Sequence, residues 1–166
     1  MKLTFTTIAL LLLLAVLAGF VWHTTQTLPP VVASHFAANG AANGFMSRAA
    51  YMSIMLLLIV GTPLIVAFLP AMVIDKNGSN LNIPNREYWL TDDRREAAIT
   101  FINIHSQWFA GLLATFLAYM HWLVVQANYI QPATLPISAI LDGLIVFFVI
   151  LTAWLVVLFR HFRIRS

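Results

Sequence analysis

Residues 8–22 read IALLLLLAVLAGFVW, and the reading of this run decides how often the chain crosses a bilayer. With its flanks it forms an apolar stretch over about 4–23, close to the roughly 20 residues a helix needs to cross the hydrocarbon core. A cleaved signal peptide is the competing reading, because the run follows Lys2 and ends in small residues. The apolar stretch continues through Phe20, Val21 and Trp22, beyond a usual signal core, so a retained first transmembrane helix is expected.

Three more stretches qualify, over about 48–74, 103–126 and 138–159, with Gly61, Pro63 and Pro70 expected to kink or shorten the second. Helix is the expected state of each, since isolated strands would leave backbone groups unpaired in lipid. Composition agrees. Of 166 residues 61% are hydrophobic and 9% charged, with a mean hydropathy of +0.87, against about 25% charged in a soluble domain. The expected fold class is therefore all-α, a four-helix transmembrane bundle in a single domain over 1–166. The absence of cysteine excludes disulfides, a thiolate metal site and a cysteine nucleophile.

The net charge of +3 and pI near 9.7 do not point to nucleic acid, because the charges flank the spans and build no basic face. Lys2, Lys76, Arg86, Arg94, Arg95, Arg160, Arg163 and Arg165 fall on one side of the four-span topology, and of the 9 basic residues only Arg48 falls on the other. The positive-inside rule makes the first side cytoplasmic and places both termini there. Trp22, Tyr51, Trp122 and Tyr129 then mark the outer interface, and Trp89, Trp108 and Trp154 the inner one. The outer loop 24–47 reads as turns between short extended pieces. The inner loop 75–96 carries turns at Asn77-Gly78 and Ile83-Pro84-Asn85. Thr91 is the expected N-cap of the third helix, with Asp92 and Asp93 in its first turn.

Several polar groups converge at the outer end. His23, His35, His121 and Asp142 form a chemically sensible zinc or copper set, and His23 with His121 would suit the axial positions of a haem b. No HxxxH or HxxEH spacing accompanies them. The ordinary reading makes His23 and His121 interfacial residues and Asp142 a carboxylate near a helix N-terminus. His105, with Asn103 and Gln107, marks a second, inner polar group. No phosphate loop, Ser-His-Asp set or catalytic carboxylate pair is visible. The inner strip of Arg86, Tyr88, Trp89, Arg94 and Arg95 reads either as an interfacial anchor or as a docking surface for a cytoplasmic partner.

Two stretches carry a resemblance. Leu28-Pro29, Ser34-His35-Phe36, Asn39-Gly40 and Asn43-Gly44, followed by a span, resemble the LPxxxPxHFxxxG motif of an uncharacterised bacterial membrane-domain family that also fronts SdpI-type immunity and signalling proteins. Asn82 to Leu90 with Arg94-Arg95-Glu96 resembles the NxPNxxYWL…RRE segment of small members of that group. The resemblance covers roughly the first two thirds of the chain. Ala37 stands where the family usually has Asn, and Ala33 where it has Pro. The resembling loop offers His35, Phe36, Asn39, Gly40 and Asn43 as ligand or sensing candidates. Physically it reads as a folded outer lid in which Phe36 plugs apolar surface, and His35 either bonds a backbone carbonyl or Asp142 or serves ligand, metal or proton sensing.

The expected function is a non-enzymatic sensing or immunity-type accessory of the bacterial inner membrane, with no resident cofactor and with the bilayer and a cytoplasmic or membrane protein as partners. A small accessory subunit of a larger membrane complex and a metal- or haem-binding protein are the alternatives.

Overall fold

Thr4 opens the first helix as its N-cap, its Oγ1 accepting from Thr7 N at 3.2 Å. Helix α1 then runs Phe5–Gln26, long enough at about 33 Å to cross a bilayer. The computed structural model describes residues 4–75 and 77–163. Lys2, Lys76, Arg165 and the ends of both termini lie outside the described residues.

The loop beyond α1 corrects the all-α expectation. Pro29 and Pro30 end the helical path, and Val31–Phe36 (β1) pairs antiparallel with Ala42–Ser47 (β2). The register sets Val31 opposite Ser47 and Phe36 opposite Ala42, and it is irregular around His35, where Ser34 bulges out of the ladder. Gly40, at φ 84°, closes the turn. Asn39 Oδ1 supports that turn by accepting from Ala41 N at 3.1 Å. The extended pieces expected from the sequence are thus a true hairpin.

Ser47 caps the next helix through Ala50 N at 3.2 Å. The second span, Arg48–Val73, is unbroken: α2 (Arg48–Leu56) passes through a π-helical turn at Leu57–Gly61 into α3 (Thr62–Val73). The turn lies just before Pro63, which has no N–H and would crowd the carbonyl four residues back in a regular α-helix. Asn77-Gly78 makes the expected turn, with Gly78 at φ 65°. A short helix α4 (Arg86–Trp89) follows Asn85, itself left-handed at φ 54°.

The third span, α5 (Arg95–Ala127), begins earlier than the apolar centre suggests and measures about 50 Å, which exceeds the roughly 30 Å hydrocarbon core. Thr91 is not its side-chain cap. The Thr91 hydroxyl donates to Tyr88 O, while its carbonyl receives Arg94 N and Arg95 N. The fourth span is α6 (Ile137–Phe162).

Helix α5 is the centre of the bundle. Ala110, Ala114 and Ala118 recur every fourth residue on one buried face, and such small residues let neighbouring backbones approach closely in lipid. Leu10 and Leu14 of α1 and Ala67 of α3 pack against that face. Helix α6 packs chiefly on α5, on another side, and its most apolar window is unburied.

Candidate functional site

At the hairpin end the bundle is tied by a buried imidazole. His121 is 1% exposed. Its Nε2 lies 2.8 Å from Thr24 Oγ1 of α1, and its Nδ1 lies 2.9 Å from the Tyr51 hydroxyl of α2. Thr24 Oγ1 already donates to Phe20 O at 2.7 Å, so it accepts from His121 Nε2–H, and Nδ1 accepts the Tyr51 proton. Tyr51 also stacks on the imidazole, with ring centroids 5.6 Å apart. His121 and Tyr51 are therefore interior residues that join three helices.

The hairpin is fixed to this junction without charge pairing. Asn128 Oδ1 accepts from Ala33 N at 2.9 Å, and its Nδ2 donates to Ala33 O and Val124 O, each at 2.9 Å. The side-chain amide thus substitutes for a missing strand along β1. The Arg48 guanidinium donates to Gln26 O at 3.1 Å and Leu28 O at 3.0 Å, capping carbonyls that the end of α1 leaves free. Leu135 N donates to Gly40 O at 2.8 Å and Ala42 N to Ala133 O at 3.2 Å, so the α5–α6 connection is laced to the hairpin turn.

Of the residues expected to bind or sense, Phe36 packs against the buried cluster of Leu123, Ala127 and Leu135, which is the plug role expected of it. Gly40 and Asn39 build the turn. Asn43 is exposed. His35 is exposed and meets Ser34 Oγ at 3.1 Å through Nδ1, so its expected bond to a backbone carbonyl or Asp142 is replaced by a local one. Beside them lies a cleft of about 280 Å³ whose walls include Pro29, Val31, Phe45, Asn128 and Pro132, with no charged residue in its lining among the described residues. Val31 and Phe45 stand 61% and 62% exposed on one hairpin face.

The opposite end is built from rings. Trp89 Nε1 and Asn85 Nδ2 both donate to Phe162 O, at 3.1 and 2.8 Å, and clamp the end of α6. Trp89 stacks on His161 at 5.1 Å, His161 on Phe101 at 3.6 Å, Phe101 on His105 at 5.0 Å, and His105 on Trp154 at 4.3 Å. Trp154 Nε1 donates to His105 O at 3.0 Å, and His105 Nε2 lies 3.1 Å from Trp154 O. Of the expected docking strip, Trp89 is thus half committed to the fold. Tyr88 is exposed beneath the Arg94 guanidinium, 4.2 Å from its ring centroid. Arg95 holds Asp92 at 2.5 Å, and Arg86 donates to Leu81 O and Ser79 O. In the adjoining turn, hydrogen bonds from Ser79 hold the Asp75 carboxyl below the usual carboxylate range.

The inner polar group expected at His105, Asn103 and Gln107 is divided. His105 serves α6, while Gln107 Oε1 accepts from Thr6 at 2.7 Å and Thr7 at 3.3 Å on α1. Asn103 Oδ1 is buried without a partner among the described residues. Likewise, no group of three or more His, Asp or Glu among the described residues is placed to hold a metal ion. His23, His35 and Asp142 are exposed, and both His121 nitrogens are engaged within the protein. Sequence reasoning did not single out Asn128, Thr24 or His161. A polar residue just past an apolar span was the available signal for Asn128.

No family model, no curated protein and no solved structure matches the chain.

Proposed function

We propose that this chain is a non-enzymatic sensing accessory of a bacterial inner membrane. The hairpin faces outward, both termini lie in the cytoplasm, and the 86–96 strip docks a cytoplasmic partner. The observation that carries the reading is the uncharged cleft of about 280 Å³ between the hairpin and the α5–α6 connection, on a hairpin anchored to the same helix, α5, whose other end bears Arg94 and Arg95. An apolar extracellular segment is the ligand chemistry that such a cleft fits. Among the described residues, Arg86, Arg94, Arg95, Arg160 and Arg163 belong to the end opposite the hairpin, and this supports the orientation. The motif resemblance to the domain that fronts SdpI-type proteins supports the sensing and immunity class.

Single cysteines test the direction cleanly in a chain that has none. An impermeant thiol reagent applied to intact cells should label Ala38→Cys and spare Asn82→Cys; the reverse pattern would reject the orientation. Val31→Asp with Phe45→Asp places charge in the cleft at exposed positions. It should leave insertion and thermal stability intact and fail to complement a strain lacking the gene, whereas full complementation would reject the sensing role.

A second reading, an accessory subunit of a larger membrane complex, is favoured by the uncovered outer face of α6, where Leu141, Ile145, Phe148 and Val149 line a shallow groove. A stoichiometric partner retained in mild detergent and lost on Phe148→Ser would select it.

A further inference from the structure

Five of the 6 acidic residues, Asp75, Glu87, Asp92, Asp93 and Glu96, lie in the connection after the second span and the first turn of the third; the sixth, Asp142, sits inside the fourth. Both ion pairs among the described residues, Asp93 with Arg94 and Asp92 with Arg95, belong to that group and leave Asp142 out. An ionisable residue within a span is costly in hydrocarbon and marks a functional position unless a partner is supplied.

Asp142 lines a cleft of about 330 Å³ between α5 and α6, walled by Leu112, Phe116, Tyr119, Val146, Phe147 and Ile150. The other polar side chains there are already committed. Thr115 Oγ1 donates to Gly111 O at 2.9 Å, and the Tyr119 hydroxyl donates to Ala139 O at 2.7 Å. Asp142 is thus the uncommitted polar side chain of the lining among the described residues. Gly143 lets the Tyr119 ring lie directly against α6 at one wall of the cleft: a Cβ there would fall 2.3 Å from that ring.

The placement is polar at one end and apolar along the rest. Asp142 lies about 8 Å along α6 from Ile137, toward the hairpin end of the span, and Ile150 lies about 12 Å further along. A carboxylate at the rim above apolar walls of that length is complementary to an amphiphile with an ammonium head that lays one alkyl or acyl chain along them. We propose that the α5–α6 cleft binds such an ammonium amphiphile, with Asp142 as the counter-ion of its head and Phe116, Val146, Phe147 and Ile150 enclosing its chain. The volume falls at the lower end of small-ligand pockets, about 300 to 1,000 Å³, and is too small for a whole helix. The ammonium belongs either to an aminophospholipid or to a free alkylamine.

The test uses the full chain in phosphatidylcholine nanodiscs with two photoactivatable probes of equal length, a primary alkylamine and the matching alcohol. The amine should label peptides covering 112–119 and 142–150 in preference to the alcohol. Asp142→Asn should lower amine labelling about tenfold, the scale of losing one charge-assisted hydrogen bond, and leave alcohol labelling unchanged. Val146→Trp, which fills the cleft and keeps the charge, should lower both, and an unchanged melting temperature for each variant shows that folding is intact. Added phosphatidylethanolamine competes if the source is a lipid headgroup; competition by unlabelled dodecylamine alone identifies a free amine. Equal labelling by both probes, or an Asp142→Asn variant that labels like the parent, overturns the proposal, as does a stoichiometric protein that shields the cleft in native membranes.

Discussion

Toward α1 and α3, helix α5 presents alanines and buried polar groups; toward α6 it presents Phe109, Phe116 and Tyr119. The first face closes tightly, with Ala110 and Ala114 fully buried against leucines and His121 bonded to two helices at once. The second touches at separate points: Tyr119 on Ala139, Phe116 against Phe147 at 4.6 Å, and His105 against Trp154 at 4.3 Å. Between those points lie the clefts. In lipid no hydrophobic force drives helices together, so close packing and hydrogen bonds decide which contacts are firm. The three-helix unit is firm by both criteria, and α6 is held by aromatic contacts and a few bonds.

This contrast can be broken at its strongest point. His121→Ala removes two hydrogen bonds, strands the Tyr51 hydroxyl in the interior and opens a cavity. It should destabilise the protein by about 3 kcal/mol, read as a fall in melting temperature in detergent. Gly143→Ala strikes the α5–α6 seam, where the new methyl meets the Tyr119 ring. The expected cost is about 1–2 kcal/mol, with hydrogen exchange rising along α6 before α1 or α3. Trp154→Phe is the mildest. It keeps the ring against His105 and loses the bond from Nε1 to His105 O, for about 1 kcal/mol. Faster exchange near 154 with the His121 junction still protected would sharpen the comparison, while uniform loss of protection would show the four helices to be one cooperative unit.

The spans were legible because lipid imposes one requirement, a sustained apolar run, and hydropathy reads it directly: 4–23 and 48–74 fall close to Phe5–Gln26 and Arg48–Val73. The hairpin was half legible. Asn39-Gly40 announced a turn, but β1 depends on an amide from Asn128, distant in the chain, and no local pattern encodes that bond. His121 showed as a polar residue in a span, yet its partners Thr24 and Tyr51 come from two other helices. The same distance hid the roles at the opposite end, where Trp89 looked like a docking residue and half of it serves to clamp Phe162. Arg48, the basic residue set apart from the others, is accounted for by the carbonyls it caps.

The π-helical turn at Leu57–Gly61 also sets which way the second span looks. Tyr51, Ile59, Pro63 and Ala67 are all buried, although residues four apart in an α-helix advance about 400° and so drift about 40° around the axis at each step. From Tyr51 to Ala67 that drift would reach about 160°, nearly the far side of the cylinder. The single surplus residue in the wide turn subtracts about 100° of it. It acts as a leap day in a calendar of turns, keeping the tyrosine that meets His121 and the alanine that meets α5 in the same season.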